Sequence, residues 1–158
     1  MTDHSAFPDP TYRDTVLAPL FEGAKTHFVA PIRAINQAHL VMLVETGILT
    51  RDTGATIAAA LTDIDDTTDI AAQTYTGAHE DYFFFVEAEL KRRIGPDVAG
   101  ALHTARSRND MDHTVFKLVL RGKADAFLSA ASALAETLLR TAQRQRDTLI
   151  VAYTHGQP

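Results

Sequence analysis

The sequence predicts an all-α protein on three observations. Apolar residues recur at spacings of three and four along most of the chain, which is the periodicity of an amphipathic helix. The prolines stand at positions 8, 10, 19, 31, 96 and 158, so none interrupts the stretch from 32 to 95. No two segments show the alternating pattern of paired strands.

Two helices are predicted in the first part of that proline-free stretch. The first covers residues 32–46 and ends at Gly47, and it carries His39 on its apolar face, where a core or interface position is expected. Either Thr50 or Asp52 caps the second helix. Its apolar face consists of Ile57, Ala60, Leu61 and Ile64.

A loop and a third helix follow. Residues 65–78 are rich in Thr and Asp and are predicted to form a loop or a frayed turn. Residues 80–94 return to a helical pattern, which Gly95-Pro96 closes. The run Phe83–Val86 favours a strand by residue type. Its flanking segments, HED and EAELKRR, are helix formers, so we predict a helix here.

One continuous helix is predicted from about residue 111 to residue 147. Its apolar stripe consists of Phe116, Leu120, Phe127, Ala131, Leu134, Leu138 and Ala142. The opposite face carries Lys117, Arg121, Asp125, Glu136, Arg140 and Arg144. Such a helix is about 50 Å long, which exceeds what a domain of this size needs. We therefore expect the stripe to pack against helices from further sequence or from other subunits.

Composition narrows the class of protein. The 158 residues carry 15 Lys+Arg and 20 Asp+Glu, a net charge of −5, and 46% are hydrophobic. That balance is typical of a globular domain, or of one domain plus the start of another. The mild acidity argues against nucleic-acid binding. The absence of cysteine excludes disulfides, thiolate metal sites and thiol nucleophiles.

Two features bear on the compartment. No run of about 18 uncharged apolar residues occurs, so no membrane span is expected. The opening Met1–Pro10 is polar, without a basic region followed by an apolar run, so no secretory signal is predicted. We therefore expect a cytoplasmic protein.

The segment Leu102–Asp110, LHTARSRND, concentrates polar side chains just before the long helix. Ser107, Asn109 and the backbone amides of a helix N-terminus form a natural cradle for a carboxylate. Arg106 or Arg108 adds a charge-assisted contact to the same group. The alternative interpretation is a simple helix cap beside two solvent-facing arginines.

A second polar segment, Tyr153–Pro158, YTHGQP, follows the long helix. It sets the hydroxyl of Thr154 and the imidazole of His155 on a glycine-containing turn, and histidine is well suited to proton transfer near neutral pH. A structural or exposed histidine is the alternative. No histidine has the spacing of a zinc helix, and no phosphate loop or dinucleotide fingerprint occurs, so no metal or other cofactor is expected.

Together, LHTARSRND, the long helix and YTHGQP resemble the argininosuccinate lyase branch of the aspartase/fumarase superfamily. HLVMLVETGILT and HEDYFFFVEAELKRRIG extend the resemblance over the whole chain. It implies a carbon–nitrogen lyase that cleaves an N-substituted aspartate by β-elimination, giving fumarate and an amine. By residue match, Ser107, Arg108, Asn109 and Thr154 bind the substrate. His155 belongs to the acid/base machinery and serves amine departure or orientation.

The resemblance also implies an assembly. Family enzymes are homotetramers whose active sites combine three subunits, and a serine in a third signature region takes the Cβ proton. That region does not occur before Pro158. We therefore expect residues 1–110 to form an N-terminal helical domain and residues 111–158 to begin the central bundle. We expect the 158-residue chain to be inactive alone.

Positions linked to the amine depart from the family pattern. Phe83 and Phe85 stand where the family has His and Asn, and Met111 follows Arg-Asn-Asp in place of Gln. An ungapped match sets Phe21 and Lys25 where the family has Ser and Asp. Lost polar groups leave an arginine moiety unpaired. The expectation is therefore another N-substituted aspartate, such as ethylenediamine-disuccinate.

Three alternatives to that expectation stay open. In the first alternative, the phenylalanines are core residues and the substrate is argininosuccinate, as in arginine biosynthesis. In the second, the chain is a non-catalytic, lyase-like structural or assembly protein. An adenylosuccinate or aspartate lyase is disfavoured, because those branches differ around the first signature.

Overall fold

The computed structural model describes residues 8–157, and every regular element in that range is a helix. The one strand-type pairing it describes is a single bridge between Thr154 and Gln157. The predicted all-α class is therefore confirmed. The prediction that Met1–Pro10 is no secretory signal falls mostly on residues outside the described range.

Seven α-helices and one π-helical segment make up the described part of the chain. In chain order they are α1 (Pro10–Tyr12), the π-helical segment (Arg13–Leu17), α2 (Ala18–His27), α3 (Val29–Glu45), α4 (Arg51–Thr67), α5 (Tyr82–Ile94), α6 (Pro96–Ala101) and α7 (Arg108–Arg144). No helix among these residues is both long and apolar enough to cross a membrane.

Side-chain caps fix where the middle helices begin. The Thr50 hydroxyl accepts a hydrogen bond from the Thr53 N–H at 3.1 Å, so Thr50 rather than Asp52 caps α4. Asp81 caps α5 by accepting from the Phe84 N–H at 3.0 Å. The run Phe83–Val86 accordingly lies inside a helix, as predicted.

Several helix boundaries differ from the prediction. Helix α3 begins at Val29, three residues before the predicted start. Helix α4 continues to Thr67, because the Asp and Thr residues after Ile64 extend its last turn. Helix α5 begins at Tyr82, since Asp81 is its cap. Helix α7 begins at Arg108, three residues before the predicted start, and ends at Arg144.

One core holds α2–α6 and the first turns of α7 together. Its most deeply buried members are Ile57, Leu90 and Leu102, and Leu17 and Leu43 are buried to the same degree, each below 2% exposure. Met111 and Val115 extend this core into α7 at 4% and 2% exposure. The polar segment before α7 is thus tied down on both sides, by Leu102 and by Met111.

The chain divides into two compact units, the first ending at Val119 and the second beginning at Leu120. In the second unit large apolar side chains of α7 are exposed. Leu120, Phe127, Leu134 and Leu138 belong to the predicted apolar stripe, Leu128 and Leu139 lie beside it, and all six are between 50% and 72% exposed. A stripe of this kind has no partner within the described residues. The domain boundary between 110 and 111 stays a prediction.

Candidate active site

The segment 102–107 joins α6 to α7 as a series of tight turns. A succession of backbone hydrogen bonds forms these turns. In the first, the Leu102 N–H donates to the Ala99 carbonyl at 3.2 Å, and in the last, the Arg106 N–H donates to the His103 carbonyl at 3.4 Å. Ala105 has a φ of +59°, a left-handed conformation that costs a non-glycine residue about 1–3 kcal/mol. The surrounding contacts must therefore hold this turn in place.

Ser107 caps the N-terminus of α7. Its hydroxyl accepts a hydrogen bond from the Asn109 N–H at 3.1 Å. The Asp110 carboxylate accepts from the Ser107 N–H at 3.2 Å, which completes a reciprocal cap. The helix-cap interpretation is therefore correct for Ser107, and carboxylate binding by Ser107 and Asn109 stays a prediction.

Arg108 lies at the first position of α7, among three carboxylates. Its Nε donates to Asp81 at 2.6 Å, while a terminal nitrogen lies 3.7 Å from Glu80 and 3.9 Å from Asp112. Partial burial opposes its charge, but the hydrogen bond to Asp81 and the neighbouring acids outweigh it, so the pKa of Arg108 lies above its ordinary value. The terminal nitrogens make no hydrogen bond within the described residues.

A cavity of about 310 Å³ adjoins Arg108. Its lining is mostly apolar and consists of Leu20, Ala24, Phe28, Ile32, Asp81, Tyr82, Phe83, Arg108 and Asp112. The charged groups of this lining are Asp81, Asp112 and Arg108, and Arg108 is the one cation among them. It is the group of the lining that offers charge-assisted hydrogen bonds to an anionic ligand.

Arg106 does not line this cavity and makes a separate set of contacts. Its NH1 donates to the Asn36 side-chain carbonyl at 2.7 Å, and its guanidinium lies 5.6 Å from the ring centre of Phe83. Its buried Nε has no hydrogen-bond partner in the described part of the chain. Burial lowers the pKa of Arg106, and the charge of Glu87 partly offsets that effect. Of the two arginines, only Arg108 is oriented toward the cavity.

His103 extends this inner cluster. Its Nδ1 is hydrogen-bonded to Glu87, and its ring lies 5.6 Å from that of Phe83. His39 is half-buried and not a core residue, and its Nε2 lies 2.9 Å from the Thr104 carbonyl oxygen. Helices α3 and α5 thus brace the turns on two sides.

Thr154 and His155 lie in the second unit, in a turn of their own. The Thr154 N–H donates to the Gln157 carbonyl at 2.8 Å, and the Gln157 N–H returns a bond at 3.1 Å. His155 has a φ of +52°, so in the described range both non-glycine residues with positive φ belong to the two predicted signature segments. Such backbone strain often occurs at functional sites.

Comparison with known proteins decides the family. The sequence model of a family described as "Lyase" matches residues 25–158. Argininosuccinate lyase 2 of Agrobacterium fabrum is 59% identical over 157 residues, 99% of this chain and 31% of that protein. Argininosuccinate lyase 1 of Shouchella clausii is 32% identical over 96% of this chain and 30% of its own length. Argininosuccinate lyase of Lactococcus lactis is 39% identical over 76% of this chain and 26% of its own length.

The chain belongs to the argininosuccinate lyase branch of the aspartase/fumarase superfamily. It spans about a third of the length of the curated relatives it matches.

Within this argininosuccinate lyase-type chain, the three predicted amine-specificity residues have different surroundings. Phe83 and Met111 are each 4% exposed and belong to the core, although Phe83 also lines the cavity beside Arg108. Phe85 is half-buried against an aromatic cluster. That cluster consists of Phe21, Tyr75, His79, Tyr82 and Phe85, with neighbouring ring centres 5.6–6.3 Å apart.

Phe21 and Lys25, the other two departures from the family pattern, also make defined contacts. Phe21 is 4% exposed and packs on Tyr75. Lys25 donates to the Gln73 carbonyl and pairs with Glu22 at 2.8 Å. Both residues therefore hold the loop 68–81 against α2.

Sequence reasoning missed the residues that support the site. Asn36 and Glu87 brace the inner cluster, and Asp81 both caps α5 and binds Arg108. Asn36 gave a usable signal, because it lies four residues from both Ile32 and Leu40 on the apolar face of α3. Glu87 gave none, since it falls among other charged residues of α5.

Proposed function

We propose that the enzyme containing this chain is a carbon–nitrogen lyase that cleaves an N-substituted aspartate into fumarate and an amine. One observation carries the proposal. In a chain of the argininosuccinate lyase branch, Arg108, which directly follows the Ser107 cap of α7, lines a cavity of about 310 Å³. Cationic and N–H donors at a helix N-terminus bind carboxylates, and every substrate of this class has them.

The proposed chemistry assigns each group a limited task. Ser107, Arg108 and Asn109 bind substrate carboxylates, and their donors stabilise the negative charge that develops when a Cβ proton leaves. Thr154 binds the substrate, and His155 serves departure of the amine. Removal of one such donor costs about 3 kcal/mol of transition-state stabilisation. No metal or other cofactor is required.

The amine is the finer part of the proposal. Phe21 and Phe85 pack on each other at 6.3 Å between ring centres, in place of the polar residues of the family pattern. The two rings themselves offer a guanidinium no hydrogen-bond acceptor, unlike the polar residues of the family pattern. This favours an N-substituted aspartate other than argininosuccinate, such as ethylenediamine-disuccinate.

Argininosuccinate is the second candidate substrate. It is favoured by the relative from Agrobacterium fabrum, an argininosuccinate lyase that is 59% identical over 99% of this chain. In this case the aromatic cluster has a packing role only, and the enzyme belongs to arginine biosynthesis.

The assembly is also proposed. A homotetramer with composite active sites covers the exposed stripe of α7, whose Phe127 is 72% exposed. The site is then incomplete in one chain, so the 158-residue chain alone is expected to release no fumarate. A cytoplasmic location fits this activity and is proposed with it.

The test is fumarate release, followed by ultraviolet absorbance, from the full-length chain supplied separately with argininosuccinate and ethylenediamine-disuccinate. Release from the diamine adduct alone supports the altered amine site. Release from argininosuccinate alone means that the phenylalanines only pack. Silence with both contradicts the proposed activity and favours a structural or assembly role.

The role of Arg108 is tested with the variant Arg108→Met in the same full-length chain. It removes the guanidinium beside the cavity and keeps an unbranched apolar side chain in its place. We expect kcat/KM to fall by about 100-fold, in line with the loss of one transition-state donor. Unchanged kinetics would contradict the role of Arg108.

A further inference from the structure

Asn36 is the one buried polar side chain in the described part of the protein, at 3% exposure. It lies in the middle of α3, four residues from the buried Ile32 and four from the buried Leu40. A buried amide needs hydrogen-bond partners, because it loses those that water supplies. Its carbonyl oxygen accepts from Arg106 NH1 at 2.7 Å.

Arg106 is an unusual partner for a neutral amide in a core. Its guanidinium lies 5.6 Å from the ring centre of Phe83, and its buried Nε has no hydrogen-bond partner among the described residues. Burial of a cation without a directly bonded carboxylate is unfavourable for stability. The contact is therefore hard to explain as a simple contribution to folding.

The position of Arg106 in the sequence gives a reason. It directly follows Ala105, whose φ is +59°, and directly precedes Ser107, the cap of α7. A strained residue keeps its conformation only when the surrounding structure holds it. The side chain of Arg106 fastens the turn to α3 at the point where that conformation must be held.

We propose that Arg106 and Asn36 are positioning residues for the carboxylate-binding segment Ser107–Asn109. Their hydrogen bond ties the strained turn at Ala105 to α3 and so sets the direction of the Ser107 hydroxyl and of the backbone N–H groups at the start of α7. Arg106 itself does not line the cavity, so it acts through Ser107–Asn109 and not by contact with the substrate. The inference rests on the proposed lyase function for its kinetic readout, but its geometric consequence can be measured independently.

The experiment compares Asn36→Leu and Asn36→Asp in the full-length chain. Leucine has the same branched outline and the same number of side-chain heavy atoms as asparagine but accepts no hydrogen bond, so Arg106 loses its anchor. Aspartate keeps the acceptor and adds a charge-assisted bond. We expect Asn36→Leu to lower kcat/KM by about 10–100-fold, since a small displacement of binding groups has an effect of this size. Asn36→Asp stays within about threefold of the wild type, and rescue by the conservative variant separates positioning from packing.

Hydrogen–deuterium exchange supplies the second readout. The backbone N–H groups of residues 106–109 exchange faster in Asn36→Leu than in the wild type or in Asn36→Asp. The control is Arg92→Met, which removes an exposed arginine that pairs with Glu89 at 2.9 Å, and leaves both readouts unchanged.

Each outcome decides the proposal. Wild-type kinetics together with wild-type exchange in Asn36→Leu would overturn it. If the wild type releases no fumarate, the proposed function fails, and the exchange rates alone confirm or contradict the anchoring. If Asn36→Leu does not fold by circular dichroism, Arg106→Met takes its place, because methionine is a long unbranched side chain without a hydrogen-bond donor for Asn36. Wild-type kcat/KM in Arg106→Met would then contradict the proposal.

Discussion

The hydroxyl of Ser107 caps α7 and is also predicted to bind substrate, and two substitutions separate these roles. Ser107→Asp keeps an acceptor for the Asn109 N–H and sets a negative charge at the positive end of the helix dipole. Ser107→Ala removes the acceptor.

For Ser107→Asp we expect the free energy of unfolding to stay within about 0.5 kcal/mol of the wild type, while activity is lost because two carboxylates repel each other. Ser107→Ala is expected to lower the free energy of unfolding by about 1 kcal/mol. Urea unfolding and fumarate release on the same samples check both. Full activity in Ser107→Asp would show that no substrate carboxylate binds beside residue 107.

Tyr82 is expected to lower the free energy of unfolding as the pH becomes alkaline. Burial raises its pKa to about 12, with the negative charge of Asp65 adding to the effect and Arg33 opposing it. The unfolded chain therefore ionises first, above pH 10, while the folded chain keeps its proton. The free energy of unfolding is expected to fall by up to about 2 kcal/mol as the pH rises from about 10 to about 12.

The matched control is Tyr82→Phe, which has no group to ionise. Urea unfolding of both proteins at several alkaline pH values isolates the tyrosine, because all other groups titrate alike. The wild-type curve should fall more steeply than that of Tyr82→Phe. Parallel curves would show that Tyr82 ionises as readily in the folded chain as in the unfolded one.

Single residues also show which features of the site can be predicted from the sequence. The cap at Ser107 was predictable, because a serine before a long apolar period is a local signal. The local pattern left Arg106 and Arg108 open, and only the family resemblance selected Arg108; the physical difference between the two was not predictable. It depends on Asn36, 70 residues away, and on Asp81, 27 residues away. Only the fold brings those partners to the two arginines.

The packing of α3 against α4 depends on a glycine. A Cβ added at Gly54 lies 2.4 Å from a Val44 methyl carbon, inside van der Waals contact. Gly54→Ala therefore combines better helix propensity, worth about 1 kcal/mol, with a clash that costs about 1–3 kcal/mol. We expect net destabilisation, measured by thermal unfolding.

Gly122 of α7 is the matched control. It is also helical, but nothing lies within 4 Å of an added Cβ. Gly122→Ala is therefore expected to stabilise by up to about 1 kcal/mol. A second test combines Gly54→Ala with Val44→Ala, which should recover part of the loss. If Gly54→Ala is as stabilising as Gly122→Ala, the two helices do not approach as closely as the structure shows.

The helices themselves were predicted well where periodicity and caps agree. The predicted helices at 32–46 and 80–94 are observed as Val29–Glu45 and Tyr82–Ile94. No helix was predicted before residue 32, where α1, the π-helical segment and α2 lie, and α6 was not predicted either. Pro10 lies in α1 and Pro19 in α2. Each proline in fact lies within the first turn of a helix, where its missing N–H has no intrahelical partner to lose.

At the scale of the whole molecule, the exposed stripe of α7 makes assembly testable. Leu134 is 60% exposed, and a charge there opposes burial against a second helix. Leu134→Glu in the full-length chain is expected to shift the sedimentation coefficient from a tetramer toward smaller species. Ser129→Glu adds the same charge on the opposite face of the helix and should leave assembly intact. Equal sedimentation of both variants would contradict packing through this stripe.

The separation between the core and that stripe has a consequence for synthesis on the ribosome. Every buried apolar residue of the described chain lies between Leu17 and Val115. All residues of the core of the first unit are therefore available once residue 115 has left the exit tunnel. At that stage the apolar stripe of α7 has no partner helices to pack against. Folding of the first unit is then a property of one nascent chain, and the meeting of long helices depends on concentration. During that interval we expect α7 to be the segment that molecular chaperones protect.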